Sequence, residues 1–283
     1  MATVMTRHAS ILAVSAVAGL LVGGCPPPQQ RPVGRMPAGS LPGSATQPGQ
    51  AETADYRLIV QFRLAAIEVP AAAAGQSVEI WSYLDEEPIQ AARSGVLARN
   101  GLRVGVGPAR VWHDLAGVFK RLTGQEVGYT IAATVPGRPV SIPIKRRQPA
   151  QTIFVFQPDG SLSGADYPPG DDLLVVDCTL REEDPTSLLL TVLPQVRSSG
   201  VQTTIVNRPE GVGFESSRET FSFEPLQFQV SLAGKDILVI GPTADARRGD
   251  SVGGCFLVGE KAGVAYETVL MVIPQVVAAP ISK

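Results

Sequence analysis

The chain has 283 residues, of which 44% are hydrophobic, 18% are charged and 6% are aromatic, enough apolar content for a folded core. With 24 Lys and Arg against 26 Asp and Glu, it has no basic excess to neutralise a phosphate backbone, so nucleic-acid binding is not expected. Of the two histidines, His8 lies in a segment that we expect to be cleaved, which leaves His113 alone. Sites that need two imidazoles are therefore not expected.

The N-terminal segment predicts export with a lipid anchor. Residues 9–22 are uncharged and apolar, and these 14 residues fall short of the ~20 that a transmembrane helix needs. The run Val22-Gly23-Gly24-Cys25 resembles the bacterial lipobox, whose cysteine takes a diacylglycerol, with palmitate as an expected acyl group, and becomes the new N-terminus. We therefore expect a signal peptide over residues 1–24 and lipidation at Cys25. An ordinary signal peptide with an incidental cysteine is the alternative.

The next segment has the composition of a tether. Residues 26–54 contain seven Pro among 29 residues and no aromatic side chain. Such a segment cannot bury enough apolar surface to offset the entropy lost on ordering, so we expect a disordered linker over 25–54. The folded part is then one domain over 55–283.

Alternating apolar residues predict a series of strands in this domain. From Tyr56, the apolar set Leu58, Val60, Phe62 and Leu64 alternates with polar residues, and its phase shifts before Ile67, which predicts a bulge near Ala65-Ala66. Further strands are predicted over 152–156, 173–180, 187–193, 202–206, 228–232, 236–240 and 267–273.

Turn and helix signals complete the fold prediction. Asn100-Gly101, between the apolar runs of residues 96–106, predicts a β-hairpin. Pro108 and Gly124 flank an apolar stripe at helical spacing and predict a helix between them, while Val78–Leu84 fits a second, short helix. The sequence thus predicts a mainly β, antiparallel domain with one packed α-helix and an α+β tendency.

Motifs with a chemical meaning are few. Gly105-Val106-Gly107 precedes the predicted helix, but Arg110 stands where a dinucleotide-binding motif has its third Gly, so we interpret the segment as a Gly-rich turn. The acidic clusters Asp171-Asp172 and Glu182-Glu183-Asp184 flank one strand and are typical of solvated hairpin ends, with calcium binding as the alternative. His113 lies off the apolar stripe of its helix, and no Ser nucleophile motif occurs. We expect no catalytic residue, cofactor or metal site.

Two cysteines remain besides Cys25. In an oxidising compartment Cys178 and Cys255 could form a disulfide bond. Cys178, however, lies on the apolar face of its predicted strand, where a buried free thiol is ordinary. The sequence favours unpaired thiols and leaves the disulfide open.

Four stretches in order resemble the C-terminal β-domain of secretins, the outer-membrane channels of secretion and pilus systems. They are residues 58–69, 114–144, 171–196, and 226–241 followed by 266–277. The chain departs from the family at Pro242, where a second Gly is usual after Val-Ile-Gly, and residues 252–256 are a reduced version of a Leu-Gly-rich stretch. The resemblance implies an antiparallel β-domain without catalysis.

These observations predict a non-enzymatic envelope protein, lipid-anchored through Cys25 at the periplasmic face of the outer membrane. The resemblance implies a structural or assembly role in a secretion or pilus-type complex, by self-association or by docking on envelope partners. The alternative is a surface-tethered module that binds glycan, peptide or calcium through its acidic loops.

Overall fold

The computed structural model describes residues 56–181, 184, 187–208 and 211–280. The predictions on the signal peptide, Cys25, the linker and Glu182-Glu183 lie outside the described residues.

Strands dominate the described part of the chain, and three α-helices accompany them. The helices are α1 (Ala91–Arg99), α2 (Trp112–Thr123) and α3 (Val252–Leu257). The strands are β1 (Tyr56–Pro70), β2 (Leu102–Gly107), β3 (Thr130–Thr134), β4 (Val140–Gln148), β5 (Gln151–Phe156), β6 (Leu162–Tyr167), β7 (Gly170–Leu180), β8 (Leu188–Arg208), β9 (Gly211–Ser222), β10 (Phe228–Leu232), β11 (Ile237–Pro242), β12 (Val258–Lys261) and β13 (Val264–Pro280).

Every strand pair is antiparallel, which confirms the predicted fold class. Sheet A has the order β2-β11-β13-β1-β3, with β12 also paired to β13, and sheet B has the order β10-β8-β7-β4, with β9 also paired to β8. Strands β5 and β6 form a separate hairpin. The first and last strands, β1 and β13, are neighbours and pair over their full overlap from Tyr56 with Pro280 to Pro70 with Tyr266.

The middle of sheet A is buried on both faces, and this corrects the predicted bulge in β1. The β1–β13 register runs through Ala65-Ala66 without interruption. Val60 and Phe62 join a core shared with sheet B, whereas Ala65 and Ile67 face a second core with α2. Because successive side chains of a strand point to opposite faces, the apolar phase changes where burial passes from one core to the other.

The second core depends on close packing against two glycines. Trp81 is 2% exposed, and a Cβ atom on Gly241 would lie 2.9 Å from its ring. A Cβ on Gly105 would lie 2.9 Å from the Leu84 side chain. Gly241 and Gly105 therefore let Trp81 and Leu84 pack on the sheet, and Gly105 belongs to the segment that was compared with a dinucleotide-binding motif.

The predicted helix between Pro108 and Gly124 is confirmed as α2. A 3₁₀ turn after Pro108 leads into the helix, whose Leu115 and Phe119 are fully buried. Gly124 ends it in the left-handed conformation, with φ 72°, and its N–H donates to the carbonyl of Lys120. This is the glycine C-cap that the sequence predicted.

The predicted hairpin at Asn100-Gly101 is wrong. Residues 91–99 form helix α1, and Asn100-Gly101 end it, with Gly101 at φ 82°. The buried Asn100 side chain accepts a hydrogen bond from the Phe156 N–H at 2.8 Å and donates to the Phe156 carbonyl at 2.9 Å. Asn100 thus joins the start of β2 to the end of β5.

One further predicted helix is wrong, and one helix forms where none was predicted. The proposed short helix at Val78–Leu84 is a single 3₁₀ turn, Trp81–Tyr83. Residues 252–257 form α3, whose N-cap Ser251 accepts a hydrogen bond from the Gly254 N–H at 3.1 Å. Among the described residues, no helix combines the length and apolarity needed to cross a membrane.

Candidate functional site: an exposed β-ribbon and a buried polar cluster

Strand β8 divides into an inner and an outer half. From Leu188 to Ser198 its alternate residues are buried, and it pairs with β7 over that whole length. Beyond Ser198 the described part of the chain offers it only β9 as a partner, and residues 199–205 are exposed. We call this two-stranded extension, Ser199–Arg208 with Gly211–Thr220, the arm.

One face of the arm carries apolar side chains that are exposed to solvent. Ile205 lies directly opposite Phe214, and their exposed fractions are 65% and 74%. Val201, on the same face, is 57% exposed, while the opposite face carries Gln202 and Glu215. Directly opposed side chains of an antiparallel pair are close enough to form one surface. The arm is therefore amphipathic, although neither sheet covers it.

The base of the arm is fixed to the domain. The β8–β9 register shifts between Arg197 and Val201, so β8 carries extra residues at this point. There the Ser199 N–H donates to the Pro169 carbonyl at 2.8 Å, and the Ser199 hydroxyl donates to the same oxygen at 2.9 Å. A bulge of this kind bends a strand and increases its twist. The arm therefore leaves sheet B in a defined direction.

A second free strand edge lies on sheet A. Among the described residues, strand β3 pairs with β1 only over Val60–Leu64, and from Ala65 to Pro70 β1 pairs with β13 alone. A groove of 560 Å³ lies between residues 66–70 of β1 and the segment 122–128. Unpaired N–H and C=O groups at an edge can accept an added strand.

The predicted acidic pair Asp171-Asp172 separates across strand β7. Asp171 accepts a hydrogen bond from the Arg147 N–H at 2.9 Å and lies 3.9 Å from the Arg197 guanidinium. Asp172, on the opposite face, is completely buried. The two carboxylates therefore do not converge on one ion. Among the described residues, no group of three His, Cys, Asp or Glu is arranged to hold a metal.

Asp172 belongs to a buried polar cluster that the sequence did not indicate. Its register partner on β4 is Lys145, and the β4–β7 pairing is irregular on both sides of that residue. Next to it, Arg147 takes the left-handed conformation with φ 54°. The irregularity turns Lys145 toward helix α3, where its ammonium donates to the carbonyls of Cys255 and Val258.

The two cysteines are free thiols in the structure, the arrangement that the sequence favoured. Cys178 is completely buried in the core of sheet B. Burial raises the pKa of each thiol to about 11, so neither is a ready thiolate at neutral pH. His113 is exposed on α2, as predicted for a surface side chain.

The site therefore consists of an amphipathic arm and a bare strand edge, which are surfaces suited to strand pairing.

Comparison with family models, with curated proteins and with solved structures finds no match to this chain.

Proposed function

We propose that the protein is a non-catalytic, lipid-anchored component of a bacterial envelope assembly that joins protein partners through the arm. The observation that carries this proposal is the apolar face of the arm, with Ile205 and Phe214 exposed on a ribbon that neither sheet covers. An exposed apolar row on a strand pair is a site for contact with another chain.

The architecture supports an assembly role in two further ways. The arm is anchored at its base by the Ser199–Pro169 hydrogen bonds, so its apolar face is presented in a fixed direction. The bare edge of β1 at Ala65–Pro70 supplies a second place where a strand can pair. Backbone pairing gives affinity, and alternate side chains give specificity.

The sequence supports the location and the kind of partner. The lipobox-like run ending at Cys25 and the Pro-rich segment after it favour a tethered envelope protein. The ordered resemblance to secretins favours self-association or docking on a secretion or pilus apparatus. A catalytic role has less support. Nucleophilic catalysis needs a nucleophile next to a general base, whereas the features that stand out among the described residues are exposed strands.

The test compares two double variants of the full chain in detergent. Ile205→Ser with Phe214→Ser removes the apolar row, and Gln202→Ser with Thr204→Ser alters the opposite face of the same ribbon. Mass in solution and envelope cross-linking should report an assembly that the first pair of changes weakens at least tenfold and the second pair leaves intact. In the same cells, Cys25→Ser should shift the protein out of the membrane fraction.

Two results would contradict the proposal. One is a strictly monomeric wild-type chain that gives no cross-linked partner in the envelope. The other is an assembly that both double variants weaken equally, because the apolar face would then have no specific part in it.

A further inference from the structure

Asp172 is an unusually isolated carboxyl group. Its side chain is completely buried, and Oδ1 accepts one hydrogen bond, from the Gln151 amide at 2.6 Å. Oδ2 is buried and has no hydrogen-bond partner in the described part of the chain. A buried carboxylate is normally stabilised by several donors or by a bound cation.

The Lys145 ammonium, a cation near Asp172, forms its hydrogen bonds with other groups. The Lys145 ammonium donates to the carbonyls of Cys255 and Val258 at the end of α3, and it forms no ion pair with Asp172. It therefore attracts the carboxylate only from a distance. Burial lowers the pKa of Lys145, although Asp172 and Cys255 act against this shift.

The other groups around Asp172 do little to favour its charge. Asp171 repels it from the same strand, and Asp172 also interacts with the Cys255 thiol on α3, which is itself close enough to Asp250 to feel its charge. Burial raises the pKa of Asp172 to about 6, and the Gln151 hydrogen bond and Lys145 offset the shift only in part. Burial therefore outweighs the favourable contacts.

We propose that Asp172 makes the junction between sheet B and helix α3 sensitive to pH. The junction is more stable when the Asp172 carboxyl is neutral and less stable when it is ionised. The neutral acid removes a buried charge that has one hydrogen bond and no ion pair. Ionisation restores that charge beside the irregular pairing of β4 with β7 at Lys145. Lys145 in turn binds the end of α3, so the charge affects the junction between the sheet and this helix.

The direction of the pH effect follows from linkage. The pKa of Asp172 is about 6 in the folded chain against an ordinary value of 3.8, so the folded state binds the proton more tightly. The stabilisation from this group is complete below about pH 4 and is lost as the pH rises through 6. The folding equilibrium constant should change by roughly a hundredfold across that window because of this one group.

The first experiment measures urea unfolding of the full chain between about pH 4 and pH 7.5. Asp172→Asn keeps the shape and removes the charge, so its stability relative to wild type should increase by up to roughly a hundredfold in the folding constant as the pH rises. Asp245→Asn is the matched control, because it removes an exposed carboxylate whose side chain is 54% accessible. An Asp172→Asn chain with the pH profile of wild type would overturn the proposal.

A second measurement needs no folded Asp172 variant. Carboxyl-carbon NMR of the wild-type full chain should show one Asp that titrates with a midpoint near 6. Lys145→Met should raise that midpoint further, because it removes a positive charge that lowers the pKa of Asp172. A wild-type spectrum in which every Asp titrates below about pH 5 would also overturn the proposal.

Discussion

The two halves of strand β8 have the same pattern and different surroundings. Leu190 in the inner half and Ile205 in the outer half both lie in runs of alternating residues, yet Leu190 is 0% exposed and Ile205 is 65% exposed. The inner half has β7 on one side, β10 on the other and sheet A across the core. The outer half has only β9. Alternation thus specifies a strand, and the neighbouring layers decide whether its apolar face is buried.

The two halves of β8 therefore contribute differently to the stability of the folded monomer and to its contacts with other chains. An apolar side chain buried completely contributes about 1.5–3 kcal/mol by leaving water, whereas one that stays exposed contributes little to the folded monomer. The arm therefore retains apolar surface that the fold does not use. That surface is available to another chain.

The largest effect is expected in the inner half. Leu190→Ala should lower the free energy of unfolding by about 2–5 kcal/mol, because it leaves a cavity between the two sheets. Urea denaturation of the full chain measures this change. A loss below about 1 kcal/mol would mean that the inner half is packed no better than the arm.

A smaller effect is expected when the arm is shortened. Replacing residues 202–217 by Asn-Gly joins Val201 to its pairing partner Arg218 through a two-residue hairpin turn. The free energy of unfolding should change by about 1 kcal/mol or less, since no core residue is removed, while self-association or partner capture is lost. If the shortened chain fails to fold, the arm belongs to the folding unit and the contrast between the two halves is wrong.

The smallest effect is expected from Ile205→Thr. This change keeps a β-branched side chain on an exposed strand, so the free energy of unfolding should move by no more than about 0.5 kcal/mol. Thermal unfolding of this variant beside Leu190→Ala gives the comparison within one strand. A loss of 2 kcal/mol at Ile205 would show that part of the folded domain covers the arm.

The sequence predicted the strands better than their connections. Alternation located most strands of both sheets, but it predicted two separate segments, 187–193 and 202–206, where the structure has the single strand β8. In the structure Pro194 pairs with Leu174 inside sheet B, and its carbonyl accepts from the Phe223 N–H at 3.0 Å. A proline carbonyl can still take part in a sheet, so the strand continues.

The errors at Asn100 and in β1 have a common cause. Asn100-Gly101 has the composition of a hairpin turn, but the Asn100 side chain bonds to Phe156, 56 residues away. The phase shift in β1 looked like a bulge, but it marks a passage between two cores. Both depend on contacts between distant parts of the chain, and no local pattern contains them.

The candidate site was predicted only in part. Residues 202–206 were recognised as a strand, but β7 and β10 end before they reach these residues, and no local pattern in the sequence shows this. Asp172 was identified as one of an acidic pair, while its burial depends on β5, α3 and the irregular β4. Helix α3 was not predicted, and its packing is close: a Cβ on Gly253 would lie 2.1 Å from the Gly101 carbonyl oxygen, and one on Gly254 would lie 2.2 Å from the Arg248 carbonyl oxygen. Close packing requires those glycines.

The pairing of β1 with β13 sets the order in which the domain can be completed. Strand β13 lies between β1 and β11 in the middle of sheet A, and it is the last strand of the described chain. During synthesis, β1 emerges about 200 residues before its partner, and closing so long a loop is slow. Until β13 arrives, β1 and β11 each have an open edge. A chain that stopped before Val264 would therefore lack its central strand and leave both cores exposed.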